Sequence, residues 1–212
     1  MNKANLGELI VFISGVPATG KTTISYELLK RYNIFRIIQE TDLIREILRG
    51  YNEYIDYKMN NKDIINKIYE RIYIPDHTKI FNYDEIKEQC LIMKPSIEKI
   101  IKRQQRKRIP SIINGVHIVP EILNGIVKNN NIKFINLYIN NKDVLYFRQS
   151  MRNEQKYMSY IDLSFETNCR LYNSTVLLQN KYPNIFFNID VTYLDINQSI
   201  EKAISFITLD ET

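Results

Sequence analysis

The chain has 212 residues, with 29 Lys+Arg against 24 Asp+Glu, a net charge of +5, two cysteines and no tryptophan. A hydrophobic fraction of 44% and a charged fraction of 25% match a globular domain and exclude wholesale disorder. Cys90 and Cys169 are too few for a disulfide framework or a four-cysteine zinc site. They fit a reducing cytosol. No apolar stretch approaches the ~20 residues that span a bilayer, and the first residues lack a leader pattern. The expectation is a cytoplasmic protein with no membrane partner.

Strand-length apolar runs recur along the chain at 9–14, 35–38, 109–114, 134–139 and 185–189. They are continuous, not alternating, which suits strands buried on both faces. Helical patterns lie between them at 22–32, 41–49, 63–73, 84–106, 142–152 and 165–181. Alternation of this kind predicts a mostly parallel five-stranded sheet flanked by helices. The stretch from the second strand to the third is too long for a simple crossover. Residues 43–108 are read as a helical insertion over the carboxyl edge of the sheet, inside one domain spanning 1–212.

The first strand runs into Gly15-Val16-Pro17-Ala18-Thr19-Gly20-Lys21-Thr22, which is G-x-x-x-x-G-K-[ST] without deviation. Its glycines let backbone N–H groups converge on an anion, and the following helix adds its positive end. Lys21 is placed for the β- and γ-phosphates of a nucleotide. Thr22 is placed to ligate Mg²⁺, and Thr23 follows it into the helix. The predicted ligands are ATP and Mg²⁺.

At the end of the second strand stands Thr41-Asp42, followed by Arg45 and Arg49. Either Thr41 or Asp42 suits a helix cap. Facing the phosphate loop, Asp42 is also placed to accept a proton from a substrate hydroxyl, or to hold Mg²⁺ through water. Arg45 and Arg49 share one helix face and suit an anionic substrate. The third strand ends in Asn114-Gly115-Val116-His117. A phosphate-loop fold commonly carries an acidic residue at this strand end. Asn114 has no charge and cannot be a base. His117 is expected to contact substrate, and His77 reads as loop.

Further along, Arg148 and Arg152 stand four apart and suit a lid that neutralises charge on a transferring phosphoryl group. Arg170 is a candidate ligand for a substrate phosphate. The basic run 102–108 resembles a nucleic-acid patch in composition. It falls at a helix C-terminus, where the helix dipole favours cations, and at the edge opposite the phosphate loop. It is therefore read as a helix end, without a nucleic-acid partner.

Together these residues resemble one family. The phosphate loop, Thr41-Asp42-x-x-Arg45-Glu46-x-x-x-Arg49 and Gly115-Val116-His117-x-Val119-Pro120 are similar to the 2-phosphoglycerate kinase family of P-loop kinases. Softer matches are Gln89 with 95–98, Phe147 with Arg148 and Arg152, and Tyr160, Phe165 and Arg170. The resemblance implies the three-layer P-loop NTPase fold with a nucleoside-monophosphate-kinase-like core. It also implies ATP-dependent phosphorylation of a hydroxyl on a small phosphorylated acid. The family has Glu where this chain has Asn114. Archaeal members add an N-terminal nucleotide-responsive module, which a phosphate loop starting at Gly15 does not lead one to expect here. Two alternatives stand beside this reading: a polynucleotide or nucleoside kinase, and a non-catalytic ATP-binding regulatory module.

Overall fold

The computed structural model describes residues 7–59, 81–128, 131–151 and 160–208, with only the backbone described over 52–59. The expected helix over 63–73, His77 and Arg152 lie outside the described residues. Five strands, β1 (Ile10–Ser14), β2 (Ile37–Glu40), β3 (Ser111–Asn114), β4 (Ile132–Tyr138) and β5 (Phe186–Asp190), form one sheet in the order β2-β3-β1-β4-β5. Every pairing is parallel. The described helices are α1 (Lys21–Arg31), α2 (Thr41–Met59), α3 (Tyr83–Lys107), α4 (Pro120–Lys128), α5 (Lys142–Ser150), α6 (Ile161–Lys181) and α7 (Ile196–Thr208).

The central strand is the most apolar, as burial on both faces requires. All five residues of β1 are buried. Phe12 meets Phe134 of β4 edge-on at 6.1 Å, and Phe134 meets Phe186 of β5 at 5.3 Å, so three adjacent strands share an aromatic core. Helix α1 packs against α7, while α3, α4 and α6 pack on one another. Among the described residues no helix is long and apolar enough to cross a membrane.

Two helices were not foreseen. Helix α4 starts on Pro120, whose fixed φ and missing N–H suit a first helical position. It buries Leu123, Ile126 and Val127. Helix α7 opens with a reciprocal cap: the Gln198 N–H donates to Asp195 Oδ1 at 2.8 Å, and the Asp195 N–H donates to Gln198 Oε1 at 3.0 Å. Strand β2 sits two residues later than expected. Phe35 is buried in the preceding turn, where its ring lies 5.9 Å from Tyr32. Its apolarity marks the core, not the strand.

Parallel pairing puts the ends of all five strands on one edge. Register pairs Ile13 and Glu40 with Asn114, and Ser14 with Asn136. The phosphate loop, the start of α2 and the Gly115–His117 turn therefore emerge side by side. The basic run ends α3, whose last turn carries Arg106 and Lys107, just before the opposite end of β3.

Candidate active site

The phosphate loop begins where β1 ends, at Gly15 with φ 143°. A Cβ there would lie 2.5 Å from the Leu137 carbonyl oxygen, so only glycine fits. Residues 16–19 then form a tight turn closed by the Thr19 N–H donating to the Val16 carbonyl at 3.4 Å. Pro17 takes the second position, and Ala18 the third at φ 71°. Proline followed by a positive φ defines a type II turn. An alanine in that conformation costs about 1–2 kcal/mol relative to its preferred basin, so surrounding contacts must hold it. Thr19 Oγ1 donates to the Val16 carbonyl at 2.9 Å, and Lys21 Nζ donates to the same oxygen at 2.8 Å. Ser14 Oγ ties the base of the loop to the Ile118 carbonyl at 2.5 Å.

Gly20, at φ 89°, opens α1. Among the described residues no side chain caps this helix, and its first turn has no acidic residue. Its leading N–H groups are thus offered to an exogenous anion. Thr22 and Thr23 are exposed on that first turn. No group of three or more His, Cys, Asp or Glu among the described residues forms a cage for a metal. The Thr22 hydroxyl and the Asp42 carboxylate instead suit a Mg²⁺ that arrives with nucleotide phosphates and keeps much of its water.

Helix α2 follows β2 without an intervening loop, so Thr41 and Asp42 stand directly on the sheet edge. Thr41 is fully buried, and its Oγ1 lies 3.2 Å from His117 Nδ1. Gly115 makes this approach possible. At φ 153°, a Cβ on it would fall 1.7 Å from Thr41 Oγ1. Asp42 Oδ1 lies 3.7 Å from His117 Nδ1 and 3.7 Å from Arg45 Nη2. Glu46 pairs with Arg49 at 2.5 Å and with Arg45 at 3.7 Å. The arginine side chains fold inward, at 18% and 16% exposure, while Asp42 remains 63% exposed.

His117 is completely buried, and its Nε2 has no hydrogen-bond partner among the described residues. Burial above all pushes its pKa down to about 4; Asp42 opposes this, while the charges of Arg45, Lys21 and Arg49 add to it. The imidazole is therefore neutral at pH 7. Lys21, Asp42, Arg45 and Arg49, read separately from the sequence, each act electrostatically on the buried His117. Arg45 Nε is also buried without a hydrogen-bond partner among the described residues.

A stability prediction follows from His117. Its folded pKa is depressed below the unfolded value of 6.5. Above pH 6.5 neither state is protonated, and the residue adds no pH dependence. Between pH 6.5 and about 4 only the unfolded chain takes up the proton, so acidification favours unfolding. The loss is about 1.4 kcal/mol per pH unit, or about 3 kcal/mol across the window. Urea unfolding at pH 7.5 and 5.0 checks this. Wild type is expected to lose more stability on acidification than His117→Gln, and equal losses would reject the assignment.

Asn114 has a structural task. Its Nδ2 donates to Ser25 Oγ at 2.7 Å, and that hydroxyl donates to the Lys21 carbonyl at 2.8 Å. Both contacts are internal, and they pin the first turn of α1 to the end of β3. A carboxylate in this position lacks the N–H donor that the pair uses.

Arg148 lies near the end of α5, and its Nη2 donates to the carbonyls of Val191 and Thr192 at 2.8 and 3.1 Å. It reaches the loop after β5. Arg170 lies on α6. Its guanidinium makes a two-pronged pair with Asp84 at 3.0 and 3.2 Å and lies 4.2 Å above the Tyr83 ring. Nearby, Glu121 accepts from Tyr83 Oη at 2.9 Å and Ser174 Oγ at 3.1 Å, and pairs with Lys87. Sequence reasoning missed Gln149. Buried at 2% exposure, it donates from Nε2 to the Pro17 carbonyl at 3.3 Å and to Ser164 Oγ at 2.8 Å. A buried glutamine next to Arg148 leaves no pattern that distinguishes it from a solvated one.

A five-stranded parallel sheet, helices on its faces and a phosphate loop after β1 define the P-loop kinase fold. Solved structures agree on the fold. The shikimate kinase from Acinetobacter baumannii in complex with shikimate aligns over 95% of this chain and 94% of its own, at TM-score 0.51 and 12% identity. A gluconokinase from Sinorhizobium meliloti aligns over 94% and 91%, at TM-score 0.50 and 13% identity. No family model matches the chain.

Among curated proteins, the chain is similar to 2-phosphoglycerate kinases, as its motifs indicate. It is 26% identical over 219 residues to that of Methanococcus vannielii and 25% identical over 214 residues to that of Methanocaldococcus jannaschii. Each alignment covers 94% of this chain but only 64% and 63% of the relative, so the chain spans somewhat under two thirds of the proteins it matches.

Proposed function

We propose that the chain is an ATP-dependent small-molecule kinase that phosphorylates a hydroxyl of a small phosphorylated acid, as 2-phosphoglycerate kinases do. One observation carries this reading. The phosphate-loop Lys21 and the Asp42–Arg45–Arg49 face of α2 converge on one buried histidine at one sheet edge.

In this reading the loop and the start of α1 bind the ATP phosphates. Arg45 and Arg49 hold the anionic groups of the acceptor, exchanging Glu46 for the substrate. Neutral His117 borders the acceptor pocket and leaves its positive potential to the arginines. Asp42 is the more exposed of the two carboxylates in the cluster, at 63% against 53% for Glu46. It takes the acceptor hydroxyl proton as the oxygen attacks the γ-phosphorus, and the β–γ bridging bond breaks to release ADP. Lys21 offsets charge on the departing and transferring phosphoryl groups. Mg²⁺, held by Thr22 and through water by Asp42, would supply further neutralisation of the ATP phosphates. Arg148 serves the transferring phosphoryl group only if its bonds to the Val191 and Thr192 carbonyls open.

Labelled ATP and a panel of acceptors test the proposal. The panel contains 2-phosphoglycerate, other phosphorylated hydroxy acids, unphosphorylated acids, sugars, nucleosides and oligonucleotides. Transfer is expected to be fastest to a phosphorylated acid and lost in Lys21→Ala. Preference for a nucleoside or an oligonucleotide end would replace the acceptor assignment. No transfer to any acceptor, in wild type as in Lys21→Ala, would reject the kinase reading.

A further inference from the structure

The Pro17–Ala18 peptide is the middle unit of the type II turn over 16–19. A trans peptide is planar, with its C=O and N–H pointing to opposite sides. Type I and type II turns differ mainly by a flip of this central unit, which exchanges those two sides. The type II form places Ala18 in a conformation that alanine disfavours. Local preference alone therefore does not secure the orientation of the peptide.

Gln149 supplies what the turn lacks. Its Nε2 reaches from α5 to the Pro17 carbonyl at 3.3 Å across 132 residues of sequence. The other hydrogen of the same amide goes to Ser164 Oγ at 2.8 Å on α6. The amide orientation is dictated by this pairing. Reversing it would set the Gln149 oxygen against the Pro17 oxygen, two acceptors with no hydrogen between them. Oε1 is left buried without a partner among the described residues, so packing and the two donated bonds hold the side chain in place.

We infer that Gln149 is a positioning residue for the phosphate loop: by holding the Pro17 carbonyl toward α5, it turns the Ala18 N–H toward the phosphate cavity. The inference rests on the nucleotide-binding reading of the loop above. It adds a specific device, a side chain of α5 that selects one of two peptide orientations. It also links α5 and α6 to the loop, because Ser164 anchors the same amide.

Binding of ADP and adenosine, measured by calorimetry, tests the device. Adenosine lacks the phosphates that the Ala18 N–H serves. Gln149→Met keeps the size and loses the donor. It is expected to weaken ADP binding about tenfold and leave adenosine within about twofold. Gln149→Glu keeps the shape and sets a carboxylate against the carbonyl, so ADP is expected to weaken further. Adding Ala18→Gly to Gln149→Met removes the cost of the positive φ and is expected to recover at least about threefold of the ADP affinity. A merely structural glutamine would lower both affinities by one factor and gain nothing from Ala18→Gly. That result, or unchanged ADP affinity in both Gln149 variants, overturns the inference and leaves the nucleotide reading intact. A folded wild type that binds no ADP overturns both.

Discussion

Asp42→Asn is expected to lower kcat by about 10²–10⁴-fold, the usual contribution of a positioned general base. The KM for ATP is expected to stay within about twofold. Asparagine keeps the shape but loses the negative charge and with it the ability to take a proton. The fold does not depend on the carboxylate. Asp42 is 63% exposed, its contacts to His117 and Arg45 are both 3.7 Å, and the buried contact to His117 is made by Thr41 instead. Loss of a negative charge from the first turn of α2 costs about 0.3–1 kcal/mol of stability. Steady-state kinetics with thermal unfolding as a control separate the two roles. An Asp42→Asn enzyme with wild-type kcat would reduce Asp42 to a helix-end charge.

Gly115→Ala is expected to be the most damaging single methyl addition at the site. The new Cβ would lie 1.7 Å from Thr41 Oγ1 and 2.8 Å from Thr41 Cβ. Rotating the threonine side chain relieves the first clash but not the second, so α2 must shift away from β3. Overpacking of this kind costs about 1–3 kcal/mol, and the left-handed φ adds about 1–3 kcal/mol. For a chain of this length, a loss of about 3 kcal/mol lowers Tm by about 6–12 °C. The shift also separates Thr41 and Asp42 from His117, so activity is expected to fall with stability. Gly125→Ala is the control. Gly125 lies within α4 with nothing within 4 Å of the added Cβ, and it is expected to gain up to about 1 kcal/mol. A Gly115→Ala protein with wild-type Tm and kcat would contradict the Thr41–His117 arrangement.

What could be read from the sequence was whatever a short local pattern encodes. The run at the start of the chain marks the central strand because a strand buried on both faces cannot alternate. The phosphate loop is legible because its glycines and lysine are contiguous. Asp42, Arg45 and Arg49 were found because helical spacing puts them together at a strand end. His117 was a candidate from its place after Gly115, but its setting was hidden. The Thr41 contact spans 76 residues of sequence, and the three nearby cations come from similarly distant segments. Topology alone joins these segments.

The same limit explains Arg170 and Gln149. An arginine on a helix gives no sign that Asp84, 86 residues earlier, holds it. A glutamine beside the expected Arg148 gives no sign that it reaches the phosphate loop. Asn114 in place of an acidic residue was visible, but its hydrogen bond to Ser25 was not. Helix α7 is the contrary case. Its Asp195–Gln198 cap and apolar face are local signals, legible in the sequence without the fold.

The proposed reaction at this sheet edge moves a phosphoryl group from ATP to a small acid. Phosphorus NMR of a reaction containing ATP, Mg²⁺ and 2-phosphoglycerate observes the transfer directly. ADP and a new phosphomonoester signal are expected to rise together in equal amounts, and neither to appear with Lys21→Ala. ATP that stays intact, or ADP that rises only with inorganic phosphate, would contradict it.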